Sequence, residues 1–401
     1  MERAVIIGGG QAGFSVASQL REQGFDGAID ILSAEPVLPY QRPPLSKAYL
    51  SGDMALERLF LRPENYFAEQ SISLHLGAIV EHIDRDGQHV SWADGTLKFN
   101  HLVFATGAAP ICLPDSIGGR LDGVFSIRQL TDIDALKAKL PTIKRLIVIG
   151  GGYIGLEAAA VAAKMGIEVT LFEAADRILQ RVACAETAAF FRDLHTSRGV
   201  KIVEDAKVAE LTGQSGRVNA VRLVEGTQSE ADAVIVGIGV RPSTALAEDL
   251  GLCINNGIAV DEFGQSDSPG IWAVGDCASF PINGQRVRVE SVPNAIDMAA
   301  AVASNILGRR EPYSAKPWFW SDQFNVKLQI AGLNTGYDRV VVRADGSKLS
   351  HWYFKRGELL AVDAINDARS FLMGRQLIER GIPLTPEQVA DTSLNLKSLL
   401  S

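Results

Sequence analysis

Several features that define large protein classes are scarce in this sequence of 401 residues. It has four cysteines (Cys112, Cys184, Cys253 and Cys277), and no two of them have the spacing of a redox dithiol or a zinc motif. This indicates a reducing, cytoplasmic compartment and argues against a disulfide framework. The six histidines show no metal-ligand spacing either, so we predict no metal site.

Long hydrophobic runs and excess positive charge are also absent. No apolar stretch reaches the ~18 residues of a membrane helix, and no signal-like segment precedes the first apolar run, so neither membrane insertion nor secretion is expected. There are 39 Lys and Arg against 47 Asp and Glu, a net charge of −8. This charge disfavours non-specific nucleic-acid binding. A content of 47% hydrophobic residues is typical of a globular chain, and the length predicts two or three domains.

What the sequence does contain is an internal duplication. A strand-like apolar run precedes residues 8–13, which read Gly-Gly-Gly-Gln-Ala-Gly, and another precedes residues 150–155, which read Gly-Gly-Gly-Tyr-Ile-Gly. Each is a G-x-G-x-x-G motif between a strand and a helix pattern. In each copy a second strand leads to an acid, Glu35 in the first and Glu173 in the second. Both copies later close on a buried-looking strand that ends in glycine.

Two such motifs in this context predict two dinucleotide-binding units. The first glycine permits a tight turn, the second lets a pyrophosphate approach the backbone, and the third lets helix and strand pack closely. The pyrophosphate then lies at the positive end of the helix, and the acid accepts hydrogen bonds from a ribose. The economical pair of dinucleotides is FAD and NAD(P)H, because hydride passes readily from nicotinamide to flavin.

A third signature, at residues 266–276, assigns FAD to the first copy. A short strand there delivers Gly275-Asp276 and resembles the second FAD fingerprint of two-dinucleotide flavoproteins, in which the Asp binds the ribitol chain. A helix N-cap is the alternative role for Asp276, and both roles could hold together. We predict an α/β fold with a discontinuous FAD domain (1–111 and 242–312), an inserted Rossmann-like NAD domain (112–241) and a small C-terminal α+β domain (313–401).

Three segments resemble the NADH-dependent ferredoxin reductases of oxygenase systems, the putidaredoxin reductase-like family. They are residues 39–50, which include Pro-Pro-Leu-Ser-Lys, residues 290–295 and residues 317–323. The resemblance covers essentially the whole chain. It implies transfer of hydride from NADH to FAD and then of single electrons to an acidic [2Fe-2S] ferredoxin, which feeds a monooxygenase or dioxygenase. A rubredoxin reductase and an apoptosis-inducing-factor-like regulatory flavoprotein stay open as alternatives, and we expect a monomer or weak dimer.

The resemblance also implies roles for individual residues. Lys47 should lie near the flavin ring and pair with Glu157, with Trp320 beside the isoalloxazine; these three are the predicted catalytic residues. Together, motifs and resemblance assign the following residues to FAD: Gly8, Gly10, Ala12, Gly13, Glu35, Arg42, Lys47, Val80, Ala105, Thr106, Gly107, Arg128, Asp276 and Val292. The residues assigned to NAD are Gly150, Gly152, Tyr153, Ile154, Gly155, Glu173, Ile238 and Gly239.

Three further expectations concern specificity, the partner and the shape of one segment. Glu173 favours NADH over NADPH, although Arg177 could relax that preference. An acidic ferredoxin needs a basic docking surface, for which the candidates are Arg62, Arg309, Arg310 and Lys316, with ordinary solvated charges as the alternative. Four prolines between residues 36 and 44 predict a stiff, extended segment. The first cysteine, Cys112, comes too late in the chain for the redox cysteines of disulfide reductases and peroxidases.

Overall fold

The computed structural model describes residues 2–282 and 284–400. The chain forms two compact units, each built from three segments. The first unit comprises Met1–Gln41, Leu56–Ala109 and Arg241–Pro317. The second unit comprises Arg42–Ala55, Pro110–Val240 and Trp318–Ser401. The division into three domains expected from the sequence stays a prediction.

The β-strands of the described residues fall into sheets in both units. In chain order they are β1 (Arg3–Ile7), β2 (Ala28–Ser33), β3 (Ile72–Leu76), β4 (Val80–Asp84), β5 (His89–Trp92), β6 (Gly95–Lys98), β7 (His101–Phe104), β8 (Ala108–Pro110), β9 (Val124–Phe125), β10 (Arg145–Ile149), β11 (Glu168–Phe172), β12 (Lys201–Val203), β13 (Val208–Gln214), β14 (Arg217–Leu223), β15 (Gln228–Glu230), β16 (Ala233–Val236), β17 (Val240–Pro242), β18 (Ile258–Ala259), β19 (Ile271–Ala273), β20 (Ala278–Ile282), β21 (Gln285–Val287), β22 (Trp318–Gln323), β23 (Val326–Gly332), β24 (Arg339–Asp345), β25 (Lys348–Lys355) and β26 (Glu358–Ile365).

The α-helices of the same residues connect and cover these strands. They are α1 (Gln11–Glu22), α2 (Glu64–Glu69), α3 (Leu130–Lys139), α4 (Tyr153–Lys164), α5 (Ala185–Ser197), α6 (Ala245–Asp249), α7 (Val292–Ile306), α8 (Ala368–Arg380) and α9 (Pro386–Ala390).

The first unit is built on a five-stranded parallel sheet in the order β19-β7-β1-β2-β3. Its central strand β1 reads Arg-Ala-Val-Ile-Ile and is buried from Ala4 onward. A run of apolar side chains on both faces is typical of a parallel strand that is covered on both sides. Helix α1 follows β1 directly and packs beside α7. A small antiparallel sheet, β4-β5-β6, includes a hairpin at Asp94-Gly95.

The second unit repeats this plan. Its parallel sheet has the order β12-β11-β10-β16-β9, in which β10, β11, β12 and β16 correspond to β1, β2, β3 and β7 of the first unit. Helix α4 follows β10 as α1 follows β1. The duplication seen in the sequence is therefore a duplication of sheet topology, and the predicted α/β class with two Rossmann-like units is confirmed.

The C-terminal part of the second unit is a five-stranded antiparallel sheet, β22-β23-β26-β25-β24. Helix α8 begins after Asp367, whose side chain accepts a hydrogen bond from the Ser370 amide, and ends at Gly381, which adopts a left-handed φ of 62°. Strand β22 was not anticipated. Its first three residues are aromatic, which hides the alternation by which strands are usually recognised.

The proline-rich segment is not extended throughout, contrary to the prediction. Pro43–Ser46 forms a short 3-10 helix in the second unit, with prolines in its first two positions. The fixed φ of proline suits the first turn of a helix as well as an extended chain, and the first-turn amides need no internal partner. Lys47 follows this turn immediately.

None of the helices among residues 2–282 and 284–400 combines the length and the apolar character that crossing a membrane requires. All four cysteines are free thiols. Cys184 and Cys277 are buried, and burial raises the pKa of both thiols. Neither buried thiol is therefore disposed to act as a nucleophile.

Candidate dinucleotide and redox sites

The glycine-rich turn of the first unit has a geometry that only glycine can meet. Gly8 follows β1 with a φ of 118°, and a Cβ there would lie 2.2 Å from the carbonyl oxygen of Ala105. A Cβ on Gly13 would lie 1.9 Å from the carbonyl oxygen of Gly8. By contrast, a Cβ on Gly10 would meet nothing within 4 Å, so the space before the N-terminus of α1 is open.

Two carboxylates lie at the same carboxyl edge of this sheet. Glu35 follows β2, and its Oε2 accepts a hydrogen bond of 2.6 Å from the Tyr40 hydroxyl. Asp276 follows β19 in a short 3-10 turn, next to Gly275, whose Cβ would lie 2.9 Å from the Cβ of Ala12. The chain continues from this turn into β20, so the alternative of Asp276 as an α-helix N-cap is wrong.

The remaining residues assigned to FAD in the first unit fall around the same sheet. Ala105, Thr106 and Gly107 follow β7, and the Thr106 hydroxyl donates to the carbonyl oxygen of Ser243 at 2.7 Å. Val80 is the first residue of β4, and Val292 is the first residue of α7. The contacts predicted between these residues and FAD stay predictions.

The groups at this edge suit a dinucleotide such as FAD. An open helix N-terminus provides backbone N–H groups and a positive partial charge for a pyrophosphate. No acidic side chain of the first turn of α1 competes for that position. Carboxylates such as Glu35 and Asp276 can accept hydrogen bonds from the hydroxyl groups of ribose and ribitol.

The second unit repeats the glycine-rich turn almost atom for atom. Gly150 has a φ of 107°, and its Cβ would lie 2.3 Å from the carbonyl oxygen of Gly237. A Cβ on Gly155 would lie 2.1 Å from the Gly150 carbonyl oxygen, whereas one on Gly152 would meet nothing within 4 Å. Ile154, in the first turn of α4, is partly exposed beside this opening. The turn therefore suits a second dinucleotide.

Glu173 is held against this second turn by the main chain. Its Oε2 accepts from the Gly151 amide at 2.7 Å, and its Oε1 accepts from the Ala175 amide at 2.8 Å. Each carboxylate oxygen keeps a further lone pair for a hydroxyl group. The Arg177 guanidinium instead donates to four main-chain carbonyls, those of residues 178, 180, 183 and 184. It is therefore engaged with its own loop.

The segment after β16 contains the residues predicted for the nicotinamide end. Gly239 has a φ of 117°, and its carbonyl accepts from the Ile111 amide at 2.9 Å. Ile238 leaves about a third of its surface exposed. A guanidinium nitrogen of Arg181 lies 3.5 Å from where a Cβ of Gly239 would be. Arg181 was missed from the sequence, because it belongs to no motif and only the fold brings it here.

Lys47 and Glu157 form an ion pair within the second unit. Lys47 Nζ lies 2.6 Å from Glu157 Oε2, and the Glu157 side chain is only 3% exposed. The Ser46 hydroxyl donates to the same oxygen at 2.6 Å, and Lys47 also donates to the Pro43 carbonyl at 3.2 Å. The 3-10 turn thus places a hydroxyl and an ammonium group on one buried carboxylate.

Three polar residues that sequence reasoning missed continue from this pair. The Ser321 hydroxyl donates to Glu157 Oε1 at 2.6 Å, and Gln323 Nε2 donates to the Ser321 hydroxyl at 3.2 Å. The amide oxygen of Gln323 lies 2.8 Å from His195 Nε2. Burial lowers the pKa of His195 to about 4, so this imidazole is neutral near pH 7. The only sequence signal was the 317–323 segment itself.

The other residues assigned to the flavin in the second unit lie on separate elements. Trp320, on β22, is half-buried and stacks obliquely on Trp318, with ring centroids 5.5 Å apart. Arg42 donates to the main-chain carbonyl of Arg128 at 2.6 Å. Arg128 lies just beyond β9, at the carboxyl end of that edge strand.

A second buried polar cluster in this unit surrounds Asp363. Thr187 and Tyr353 donate to Asp363 Oδ2, and the Thr187 hydroxyl also lies 2.6 Å from His351 Nδ1. Burial raises the pKa of Asp363 to about 6 and lowers that of His351 to about 4. Within the described residues, Cys184, His351 and Asp363 are the one trio whose ligand atoms come close enough to share a metal ion. The Thr187 hydroxyl already bridges two of them.

Three of the four basic residues considered for docking make contacts within the first unit, namely Arg62, Arg309 and Arg310. Arg309 donates to the side chain and main chain of Gln23 at 3.1 and 3.2 Å. The Arg310 guanidinium stacks over Phe263 at 4.8 Å, and that of Arg62 lies over the ring of Phe14 at 5.9 Å. Their role in docking stays a prediction.

The chain matches two family descriptions. Residues 2–299 match "Pyridine nucleotide-disulphide oxidoreductase", and residues 318–400 match "Reductase C-terminal". The chain is 44% identical to rhodocoxin reductase from Rhodococcus erythropolis, over 98% of this chain and 93% of that protein. It is 42% identical to a ferredoxin–NAD(P)(+) reductase from Sphingomonas sp, over 99% and 97%.

A solved structure of the covalent putidaredoxin reductase–putidaredoxin complex has the same fold. It superimposes with a TM-score of 0.96 at 40% sequence identity, over 100% of this chain and 98% of that one. The chain therefore belongs to the pyridine nucleotide-disulphide oxidoreductase family. The family assignment agrees with the two glycine-rich sites, which suit FAD and a nicotinamide dinucleotide.

Proposed function

We propose that the chain is an FAD-dependent NADH:ferredoxin oxidoreductase. One NADH and two oxidised ferredoxins would yield NAD⁺, one proton and two reduced ferredoxins. The observation that carries this proposal is the pair of glycine-rich turns, each with a fixed acid, on two sheets of equal strand order. The relatives that carry reductase names, similar over almost their whole length, support the same reaction.

Bound FAD supplies a carrier that takes two electrons together as hydride from nicotinamide and gives them up singly. The protein contributes position and charge. In the first unit, the N-terminus of α1 would bind the pyrophosphate, Glu35 a ribose and Asp276 the ribitol. In the second unit, Lys47 is held by Glu157 and would set the charge at the flavin ring, while Trp320 would shield the ring from water.

We expect NADH to be the preferred reductant. Glu173 is fixed by two amides, so it can accept hydrogen bonds from the ribose hydroxyls and would repel a 2′-phosphate. Arg177, the one nearby cation that sequence reasoning considered as a phosphate partner, is occupied by four carbonyls of its own loop. A switch to NADPH would require that loop to rearrange.

The electron acceptor is proposed to be a [2Fe-2S] ferredoxin that feeds an oxygenase. The similarity to a reductase solved in complex with putidaredoxin supports a ferredoxin partner. The four free thiols support a reducing, cytoplasmic compartment, and we expect a monomer or weak dimer.

The experiment that tests this function is NADH-driven reduction of cytochrome c, with and without an added [2Fe-2S] ferredoxin. Strong stimulation by ferredoxin is the expected result. Stimulation by rubredoxin alone would indicate a rubredoxin reductase. Slow flavin bleaching by NADH, with a long-lived charge-transfer band and no stimulation by either protein, would indicate a regulatory flavoprotein and contradict the proposal.

A further inference from the structure

A buried hydrogen-bond chain connects the C-terminal sheet to the Lys47–Glu157 pair. It runs from His195 on α5 through Gln323 and Ser321 on β22 to Glu157 on α4. The other three residues of this hydrogen-bond chain, which are His195, Gln323 and Ser321, are completely buried, each at 0% exposure. Every member lies in the second unit. Buried side chains without access to water must satisfy one another, so this arrangement is fixed by its own hydrogen bonds.

The direction of each hydrogen bond follows from the chemistry of the groups. A carboxylate only accepts, so the single hydroxyl proton of Ser321 points to Glu157. Ser321 must then accept from the amide group of Gln323, which turns the amide oxygen toward His195. His195 Nε2 therefore carries the proton of the neutral ring, and its Nδ1 is left as a buried acceptor without a partner among the described residues. All donors point toward Glu157.

The two carboxylate oxygens of Glu157 have different hydrogen-bond partners. Ser321 donates to Oε1, whereas Ser46 and Lys47 share Oε2. Ser321 and Ser46 therefore bind different oxygens of the carboxylate and together fix its orientation. With both in place, Oε2 faces the Lys47 ammonium group at 2.6 Å.

We propose that Ser321 and Gln323 are positioning residues, which fix the orientation and charge compensation of Glu157 and thereby the place of the Lys47 ammonium group. The inference rests on the proposed role of this pair beside the flavin. It gives the C-terminal sheet a part in tuning the redox site, in addition to any contact with a partner. At the end of the hydrogen-bond chain farthest from Glu157, His195 holds the Gln323 amide in one orientation.

The direct test replaces Ser321 with alanine in the FAD-loaded protein. Ser350→Ala is the matched control, because Ser350 is equally buried on the same sheet and its hydroxyl bonds the Trp352 indole and the Arg343 carbonyl rather than Glu157. Loss of the Ser321 donor leaves the Glu157 charge less compensated. We expect a lower flavin midpoint potential and a rate constant for flavin reduction by NADH that falls on the order of tenfold, as for a lost hydrogen bond to a charged group.

Two further variants keep the test informative if Ser321→Ala folds poorly. Ser321→Thr retains the hydroxyl and should restore the wild-type potential. Gln323→Met has a similar volume but no donor, so it should lower the potential in the same direction as Ser321→Ala, by a smaller amount. An infrared carboxylate band that shifts in Ser321→Ala but not in Ser350→Ala provides a readout independent of turnover.

The double variant with Glu157→Gln separates this inference from the proposed function. If Ser321 acts through Glu157, Ser321→Ala adds no further change of potential in the Glu157→Gln background. Suppose that Glu157→Gln shifts the flavin potential, but that Ser321→Ala leaves it unchanged, raises it, or changes it only as Ser350→Ala does. The inference about Ser321 is then overturned, while the proposed role of the Lys47–Glu157 pair is kept. If Glu157→Gln itself has no effect, the role of the pair is contradicted and the inference falls with it.

Discussion

The two glycine-rich sites have the same turn geometry, but the strands at the edges of their sheets differ. In both units a Cβ on the first or third motif glycine would overlap a main-chain oxygen, at 2.2 and 1.9 Å in the first unit and at 2.3 and 2.1 Å in the second. The first sheet is completed by β19, which leads to Asp276, and the second by β9, which leads to Arg128. The shared glycine-rich turn suits a pyrophosphate. The edge strand differs, because it leads to an acidic side chain in the first unit and to a basic one in the second.

The acid that follows the second strand is also held differently in the two units. Glu35 receives its hydrogen bond from a side chain, the Tyr40 hydroxyl, whereas Glu173 receives two from main-chain amides. A contact with main-chain amides depends on the fold of its own loop, whereas a contact with a side chain can be altered by a substitution at that side chain. The comparison teaches that equal topology leaves room for separate tuning of the two cofactor sites.

The largest effect should come from alanine at the first glycine of each turn. Gly8→Ala should abolish FAD retention and Gly150→Ala should abolish NADH binding while FAD is kept, because both combine a positive φ with a backbone overlap. We expect FAD content or NADH affinity to fall by more than about tenfold. Gly24→Ala and Gly166→Ala, at glycines that also have a positive φ but where a Cβ would meet nothing within 4 Å, are the matched controls. Equal losses in the controls would show that the close approaches are not the cause.

The second effect is the pH-dependent contribution of Asp363, in the second unit, to the free energy of unfolding. The folded-state pKa of Asp363 is raised to about 6 by burial, above its usual value of 3.8, so the folded chain holds this proton more tightly. Its stability contribution is complete below about pH 4 and is lost as pH rises through 6, by on the order of 3 kcal/mol. Asp363→Asn should remove this part of the slope when the unfolding free energy is measured from pH 4 to 8. A slope unchanged from wild type would contradict the assignment.

The third effect tests the main-chain contacts of Glu173. Glu173→Ala should weaken NADH binding by roughly tenfold and raise the activity with NADPH relative to NADH, because one charge-assisted contact is lost and a repulsion is removed. The Michaelis constants for the two nucleotides measure this. Asp176→Ala, an exposed acid of the same loop, is the control and should change neither constant. A ratio that does not move toward NADPH would exclude Glu173 as the selecting residue.

The smallest effect is expected at the edge residue of the first unit. Asp276→Asn keeps the size of the side chain but removes its charge, and FAD affinity should fall by roughly threefold to tenfold, as for one hydrogen bond. NADH binding should not change. Fluorescence titration of the FAD-free protein measures the affinity. An equal loss of affinity for NADH would indicate a general loss of structure rather than a lost ribitol contact.

Much of the architecture was predictable because the signals are local. The strand, glycine turn and helix of each unit lie within about 30 residues. Gly8 and Gly150 are required because a Cβ at either position would overlap a main-chain carbonyl oxygen, and the motif marks both positions. The N-cap Asp367 and the terminal Gly381 of α8 are local signals of the same kind. The proline segment was assigned the wrong conformation, because proline is compatible with both an extended chain and a first helical turn.

The polar connections between distant segments could not be predicted from the residues themselves. Gln323 and His195 are 128 positions apart, and Thr187 and Asp363 are 176 apart. Nothing in the pattern around His195 distinguishes it from a surface histidine. Such contacts depend on how α5 packs against the C-terminal sheet, which is a property of the folded chain.

The most direct test of the central claim is a stopped-flow experiment with the FAD-loaded protein. One equivalent of NADH is added without oxygen, and the reduced protein is then mixed with an excess of oxidised [2Fe-2S] ferredoxin. We expect two ferredoxins to be reduced for each NADH consumed, and the oxidised flavin spectrum to return. Flavin that stays reduced in the presence of the ferredoxin would contradict it.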